Sequence, residues 1–538
     1  KIAEMACYAS FDNPKNEGAP WRFYPTLPLD EEENRAYTEN PSYQFGEWRF
    51  DDVCLDFRPD VVIDIRDWWM VEYQQRSAFR GLYKWAIMPT VDSCPQQEQY
   101  LNTFMDADAV FTYSEFGTEV LEKEGFGCIK LKGMASPGAD FDNLKPVVNK
   151  SLHRSNFGFM DDINIIGTIM RNQRRKLYPN LISTFRKMLD ENPELQKNTF
   201  LYIHSCYPDL GWDFPGIIKS NRMGHNIVMT YKCPECDHFF PSFFKDCKTS
   251  CPKCNNSEAS LPSTSFGVST KELGHIINWF DLYVQYSICE GFGMPQVEAA
   301  ACAIPILTVN YSAMESVGKK LKADFVQPKC FFWDSPTGSQ RAIPDDEELK
   351  DKMLEFIKMP KSVRSKKGMD SYIGAKKNYT WENAAESWES YLDTIEPLSH
   401  EETWDSPANI RIPEQNTPEW IKNNEDFVEW AFTNILCQPE KIDTYLSMRM
   451  LRDLNYGTST NKGGGLYYNE LSNLDNNLVH APYSTNDAMN QLMNLRNYIN
   501  SYEQKREELS KSENWDGIDR PHFLDFVQPD KNHSLTAD

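Results

Sequence analysis

The sequence predicts an α/β protein built on two parallel sheets that follow one another along the chain. Three observations carry that reading. Short apolar runs alternate with amphipathic stretches up to about residue 390, the signature of βαβ units. The runs fall into two groups, separated by the polar stretch "KPVVNKSLHRSNFG" near residues 145–158. The chain of 538 residues also exceeds what one core accommodates, since single cores stop growing near ~250–300 residues.

In the first group "DVVIDI", "KWAIMPTV" and "AVFTYS" read as buried strands. In the second, "INIIGTIM", "TFLYIHS", "NIVMTY", "LYVQYS" and "IPILTV" do so. Between them lie helical patterns such as "YPNLISTFRKMLDE" and "STKELGHIINWF", the latter with Ser269 or Thr270 as N-cap. The expected division is a first sheet domain over 1–150, a second over 151–380 with an insertion at 231–258, a crossover helix at 381–394 and an extension over 395–538. The extension turns to acids, Pro, Asn and isolated helical patterns such as "EDFVEWAFTNIL", so it is expected to be mostly helical. Its triple glycine at 463–465 reads as a flexible loop, because no strand precedes it and no "GK[ST]" follows. Ligands in such folds bind beyond the carboxyl ends of the strands, so two facing sheets would form a cleft.

Composition narrows the function. With 56 basic and 79 acidic side chains the net charge is -23, and the surface as a whole repels polyanions and anionic lipid unless a local basic patch intervenes. The 14 cysteines are unevenly spaced in a long chain, unlike a small disulfide scaffold, and a reducing compartment is the simplest setting. No apolar run approaches the 18 or so residues of a membrane span, and no signal peptide is visible. A cytoplasmic location is the expectation. The chain begins at Lys1 with no Met, so residues of its natural N-terminus are expected to be missing. The first domain is therefore expected to be truncated at its start.

One stretch concentrates chemistry: "SICEGFGMPQVEAAACAIP", Ser287 to Pro305. It follows the strand "LYVQYS", and Pro295 stands where the first turn of a helix would begin. A strand, a glycine-bearing turn and a helix N-terminus point backbone N–H groups and the positive end of a helix dipole at one place, where phosphate or sugar oxygens are stabilised. Gly291 and Gly293 permit positive φ and close approach. Glu290 at the strand end and Glu298 on the first helical turn are expected to meet one ligand from two sides, and carboxylates there suit hydroxyl donors.

A second signal is independent. "KCPECDHFFPSFFKDCKTSCPKCNNS" sets Cys233, Cys236, Cys251 and Cys254 in a C-x2-C-x14-C-x2-C arrangement. Two such knuckles supply four thiolates, the spacing of a structural zinc ribbon with no open coordination position. The insertion follows "NIVMTY", so it is expected at the ligand-binding edge of the second sheet. It either staples a long loop through metal-bound folding or shapes access to the ligand at that edge.

The segment "EGFGMPQVE" resembles the Glu-x7-Glu motif of retaining, nucleotide-sugar-dependent glycosyltransferases of the GT-B fold, family 4 in particular. "DAVFTYSEFGTEVLEKEGF" is similar to a late strand and helix of that family's first domain. "IIGTIMRNQRRKLYPNLISTF" is similar to the first strand, basic loop and helix of its second, and "GVSTKELGHIINWFDLYVQYS" leads into the motif as in the family. The resemblance covers roughly residues 50–394 and implies two facing Rossmann-like domains.

It further implies a nucleoside-diphosphate sugar as co-substrate, with Glu290 on the donor sugar and Glu298 on the ribose hydroxyls. Gly291, Phe292, Gly293 and Met294 would hold sugar or phosphate. Arg171 and Lys176 would neutralise the diphosphate leaving group, with Arg174 or Arg175 able to replace either, and His204 would line the donor pocket. Such transfer, of a hexosyl or pentosyl group, needs no metal at the chemical step, because fixed cations stabilise the developing charge. Asp67 and Asp92, each after a strand of the first sheet, are acceptor-side candidates. The family commonly has Gly where this chain has Ala303; a left-handed cap there would cost about 1 kcal/mol, so the helix is expected to end another way.

The Asn-rich extension and the ribbon resemble additions in phage-encoded glycosyltransferases that modify hydroxymethylated DNA bases. A DNA acceptor thus stands beside saccharide, lipid-linked and protein acceptors, although the net charge opposes it. The competing class is a non-catalytic nucleic-acid-binding or scaffold protein that works through the ribbon. Glu290, Glu298, Arg171 and Lys176 favour the enzyme, because a scaffold has no need of all four.

Overall fold

The computed structural model describes residues 1–9, 20–77, 79–160, 162–244, 246–263 and 265–396; the expected helical extension over 395–538 lies outside them except for its first two residues. Two compact units are present. One holds Lys1–Ile87 and Asp106–Ala109, the other Met88–Met105 and Val110–Ile395.

In the first unit, strand β1 (Ala3–Ala6) pairs in parallel with β2 (Arg22–Pro25). Strand β3 (Val61–Asp64) pairs in parallel with β4 (Lys84–Ile87), Val61 opposite Lys84. The buried Asp64 at the end of β3 accepts from the Gln74 amide (2.7 Å) and from Arg66, while Gln74 Oε1 receives the Trp85 indole N–H (2.5 Å). Polar groups taken out of water at this strand end are thus paired, as burial requires.

The second unit contains most of β5 (Ala109–Thr112), which pairs in parallel with β6 (Leu131–Met134). Helix Glu115–Glu124 follows β5, N-capped by Ser114. The principal sheet is built from β7 (Asn164–Ile169), β8 (Thr199–His204), β9 (Ile227–Lys232), β13 (Leu282–Gln285), β14 (Ile306–Val309) and β15 (Asp324–Val326), with β10 (Phe239–Phe243), β11 (Lys248–Thr249) and β12 (Ala259–Ser260) added at one end. The order is β11-β12-β9-β8-β7-β13-β14-β15, with β10 antiparallel on β9. From β9 to β15 all pairs are parallel.

Alternation places Leu201, Ile203, Ile227, Met229 and Val284 in one core with the helix Tyr178–Glu191. Tyr202, Val228, Tyr283 and Ile306 point the other way, into a second core with helices Thr270–Ile277, Met294–Ala301 and Ser312–Lys320. The sheet is therefore covered on both faces, and its strands read as continuous apolar runs for that reason. Helix Thr270–Ile277 begins at Ser269 with a full capping box to Glu272. Helix Trp381–Leu392 sets the Trp388 ring 4.0 Å from that of Phe111 on β5.

The polar stretch 145–158 lies within the second unit. It forms a short helix, Lys150–Ser155, capped by Asn149, whose buried Arg154 binds the Trp279 carbonyl and Asp281 (2.8 Å). After β15 comes an antiparallel hairpin, β16 (Pro328–Asp334) and β17 (Ser339–Pro344).

Candidate active site

The site grows from two neighbouring strand ends. Strands β7 and β13 are adjacent in the sheet, and the basic loop after β7 continues that pairing beyond the sheet. The Ile288 amide donates to the Arg175 carbonyl (3.0 Å), the Leu177 amide to the Tyr286 carbonyl (3.1 Å), and Lys176 bridges Ser287. This zipper holds Arg175 and Lys176 against the residue that follows Cys289.

That residue, Glu290, is buried at 4% exposure. Its Oε2 receives Arg175 (2.5 Å), and its Oε1 receives Lys176 and the Gln285 amide (2.8 Å). Its backbone N–H donates to Ser312 Oγ (3.0 Å). Burial pushes the Lys176 ammonium well below its ordinary value, with repulsion from Arg175 adding to the effect; the abutting Glu290 carboxylate opposes both. Two cations against one carboxylate leave a local positive excess. The Arg175 side chain is 38% exposed, so the excess is presented to solvent.

The glycine turn has two separate structural causes. A Cβ on Gly291 would lie 2.4 Å from Thr90 Cγ2, so the position is closed by packing. Gly293 has φ +86 and starts the helix Met294–Ala301, with Pro295 in its first turn. Among the described residues, no acceptor takes the amide hydrogens of Gly291, Phe292, Gly293 or Met294. Four successive donors are therefore open beside the Arg175–Lys176–Glu290 group. The Phe292 ring is not part of this surface, being buried edge-on to Tyr379 (5.4 Å).

Several expectations change. Glu298 stands on the second turn, not the first, because the positive φ of Gly293 delays the helix start to Met294. Its carboxyl has no hydrogen-bond partner among the described residues, and burial pushes it up to about 7. Glu290 does not present an open carboxylate, since three donors occupy it. Arg171 lies apart from that group, 50% exposed and in a two-pronged pair with Asp209 (2.9 and 3.2 Å), whose carboxyl the guanidinium holds down at about 2. Arg175 takes the place beside Lys176, while Arg174 lies over the Trp212 ring (5.9 Å).

Ala303 takes the left-handed conformation (φ +56) that had been expected to be avoided. Ile304 N–H bonds the Ala299 carbonyl (3.0 Å) and Ala303 N–H that of Ala300 (2.9 Å), a Schellman end made with alanine. The helix does end as a glycine-capped helix would, because the buried segment that follows overrides the local cost.

His204, at the end of β8, shares a hydrogen bond with Thr230 (2.8 Å), and burial pushes it down to about 4, so its ring is neutral. Asp67 precedes the short helix Trp68–Val71 in the first unit. Asp92 lies in the second unit, where Oδ1 pairs with Arg341 (2.6 Å) and Oδ2 accepts from the Cys289 thiol (3.3 Å). Arg341 also donates to Cys289 Sγ (2.8 Å) and is buried. Sequence reading missed Arg341 entirely, because one arginine in an alternating hairpin carries no motif.

The thiols of Cys233, Cys236, Cys251 and Cys254 all lie within 4.8 Å of one another, with Cys233 to Cys254 at 3.5 Å and Cys236 to Cys251 at 3.7 Å. A tetrahedron with zinc–sulfur bonds of about 2.3 Å has edges of about 3.8 Å, so the four sulfurs fit that ion. Asp237 and Asn255 take positive φ in the two knuckles, which lets each chain turn back on its sulfurs. The first knuckle begins directly at the carboxyl end of β9.

Residues 264–370 match the family described as glycosyl transferases group 1, a segment that includes β13 to β17 and the whole glycine turn. No curated protein matches the chain. Among solved structures, sucrose-phosphate synthase from Thermosynechococcus elongatus is similar at 14% identity and TM-score 0.52, over 73% of this chain and 88% of that one. The N-terminal domain of trehalose-6-phosphate phosphatase from Candida albicans is similar at 13% identity and TM-score 0.49, over 70% and 85%. A glycosyltransferase from Rickettsia africae follows at 12% and 0.47, over 70% and 86%. At 14% identity and TM-score 0.52 the first of these likenesses speaks to fold alone: α/β with parallel sheets, as in the GT-B glycosyltransferases. Among the described residues no helix is long and apolar enough to cross a membrane.

Proposed function

We propose that this chain is a retaining glycosyltransferase of family 4 type that moves a sugar from a nucleoside diphosphate to an acceptor hydroxyl. The observation that carries the reading is the run of four unoccupied amides, Gly291 to Met294, beside Arg175 and Lys176. Breaking the bond between the sugar's anomeric carbon and the phosphate oxygen develops negative charge on the diphosphate. Fixed cations and aligned N–H groups stabilise that charge without reorganising. Arg171 joins them by exchanging Asp209 for phosphate. Glu290 keeps Lys176 and Arg175 in place. Glu298, with an unpartnered carboxyl, takes the ribose hydroxyls.

The acceptor oxygen attacks from the face the diphosphate leaves, and the departing phosphate oxygen takes its proton. One carbon–oxygen bond breaks as the other forms, and the configuration is retained. Cationic side chains supply the charge compensation, so the transfer step runs without a divalent ion. Residues 151–380 serve the donor and 1–150 the acceptor in this scheme, and residues 381–394 form the crossover helix. Zinc held by the four cysteines closes the ribbon at the end of β9. A hydroxymethylated DNA base is the less favoured acceptor, given the net charge of -23.

Thermal stabilisation by nucleotide sugars tests the proposal. UDP-, GDP-, ADP- and dTDP-sugars are screened against the full chain. A true donor adds RT ln(1 + [L]/Kd), ~2.7 kcal/mol at a hundredfold excess over Kd, and the gain disappears in the double variant Arg175→Ala/Arg171→Ala. No shift with any of them sinks the reading and leaves the scaffold class.

A further inference from the structure

Four consecutive residues of β17 hold two other segments together. Ser339 Oγ donates to the Pro95 carbonyl (2.7 Å) and the Gln340 amide to the Cys94 carbonyl (2.9 Å). Arg341 Nη1 then donates to Asp92 Oδ1 (2.6 Å) and to Cys289 Sγ (2.8 Å), and the Ala342 amide to the Ile288 carbonyl (3.1 Å). We infer that Arg341 is a positioning residue of the proposed transfer, which holds Asp92 so that its second carboxylate oxygen accepts a hydroxyl of the transferred sugar. The inference rests on the transferase reading above and gives Asp92 the sugar itself rather than the acceptor.

The guanidinium is buried, at 6% exposure, and each of its nitrogens has a partner. Besides Asp92 and Cys289 at Nη1, Thr337 Oγ1 accepts from Nη2 (3.2 Å) and Asp334 lies 3.5 Å from Nε. A planar fork held at every nitrogen has one orientation, so Asp92 Oδ1 is fixed, with Ser93 Oγ as its other donor (2.9 Å). Among the described residues Oδ2 has only the Cys289 thiol, at 3.3 Å. A thiol is a weak donor, so this charged oxygen lacks a strong hydrogen bond. It is also reachable, since 25% of the Asp92 side chain is exposed.

The oxygen lies at the candidate site. Cys289 precedes Glu290, and Thr90 packs against Gly291 so closely that a Cβ there would lie 2.4 Å from its methyl group. The loop 90–92 thus touches both residues that flank Glu290. Asp92 is near enough for its charge to favour the protonated Lys176 against burial. Charge decides what the open oxygen meets. A carboxylate repels the diphosphate that Arg175, Lys176 and the open amides attract, and it accepts from hydroxyls. The group bonded to that diphosphate, and so nearest to it, is the transferred sugar.

The test is calorimetric titration of the full chain with UDP against UDP-glucose, GDP against GDP-mannose and ADP against ADP-glucose. At least one sugar nucleotide is expected to bind. Asp92→Asn should weaken it by about tenfold or more, the loss of a hydrogen bond to a charged group, and leave the matching diphosphate within about twofold of wild type. Arg341→Gln should weaken the same sugar nucleotide, and the double variant Asp92→Asn/Arg341→Gln should bind it no more weakly than Asp92→Asn, because the arginine acts through the carboxylate. Arg341→Lys, the variant to use if Arg341→Gln does not fold, keeps a cation but not the fork. It should weaken the sugar nucleotide less than glutamine does, and not at all in an Asp92→Asn background. If Asp92→Asn weakens the diphosphate as much as the sugar nucleotide, or weakens neither, the inference falls while the transferase stands. The same follows from wild-type sugar-nucleotide binding in Arg341→Gln, or from losses that add in the double variant. Binding of no nucleotide at all refutes the transferase and this inference together.

Discussion

Replacing Glu290 by glutamine removes one negative charge and leaves two cations facing an amide. Glu290 is 4% exposed, Lys176 has 7% of its side chain exposed and Arg175 38%. Removing one partner of a buried pair costs about 3–5 kcal/mol, because the other charge stays buried and uncompensated. The exposed Arg175 contributes little to that sum, and Lys176 can relieve its share by losing its proton, so about 2–4 kcal/mol is expected. For a unit of this size that corresponds to a melting temperature lower by about 3–6 °C.

The pH dependence has a definite sign. With its partner gone, Lys176 has a folded-state pKa below its unfolded value of about 10.4. Between the two the unfolded chain binds more protons, and stability rises with pH. Scanning calorimetry of Glu290→Gln should therefore show the deficit shrinking from pH 7 toward pH 10. Arg175→Gln, which removes the solvent-facing partner, should cost only about 1 kcal/mol. A Glu290→Gln protein that melts with wild type, or whose deficit does not shrink toward pH 10, would refute the reasoning.

Three further outcomes follow from the same geometry. Burial raises the Glu298 carboxyl to about 7, so the folded state binds more protons than the unfolded one and stability falls as pH rises from about 4.3 through 7. Glu298→Gln should flatten that slope, stabilise the ligand-free protein by about 1–2 kcal/mol at pH 8, and weaken nucleotide binding in the same calorimeter. Ala303→Gly should raise stability by about 1 kcal/mol, read as a higher melting temperature, because glycine adopts φ +56 without the Cβ penalty. Elemental analysis should find about one zinc per chain, lost in Cys233→Ser and Cys251→Ser together with a fall in melting temperature; a zinc-free wild-type protein of full stability would exclude the ribbon metal.

Much of the second unit was legible in advance because its signals are local. "YPNLISTFRKMLDE" predicts the helix that forms at Tyr178–Glu191, since apolar residues every three to four positions need a face to bury. Ser269 announces a cap that a glutamate three residues later completes. The cysteine spacing anticipates four sulfurs within 4.8 Å. The errors arose where local rules meet packing. Alanine at 303 is locally unfavourable, yet it adopts the left-handed turn. Its carbonyl packs so closely on Gly368 that a Cβ there would lie 2.0 Å from it. Arg171 follows β7 as expected but reaches Asp209, a residue from the loop after β8 that no motif names.

By itself the sequence determined the alternation of strands and helices, the glycine turn before a proline-started helix, and the two cysteine knuckles. Each depends on residues within a few positions of one another, and periodicity and backbone preference act over that range. Only the tertiary structure decided that Arg175 meets Glu290 across 115 residues of chain, and that Arg341 reaches the thiol beside it. Those meetings follow from the sheet order, in which β7 lies next to β13. That order is set by burying both faces of the sheet under helices, a requirement of the whole unit that no short stretch encodes.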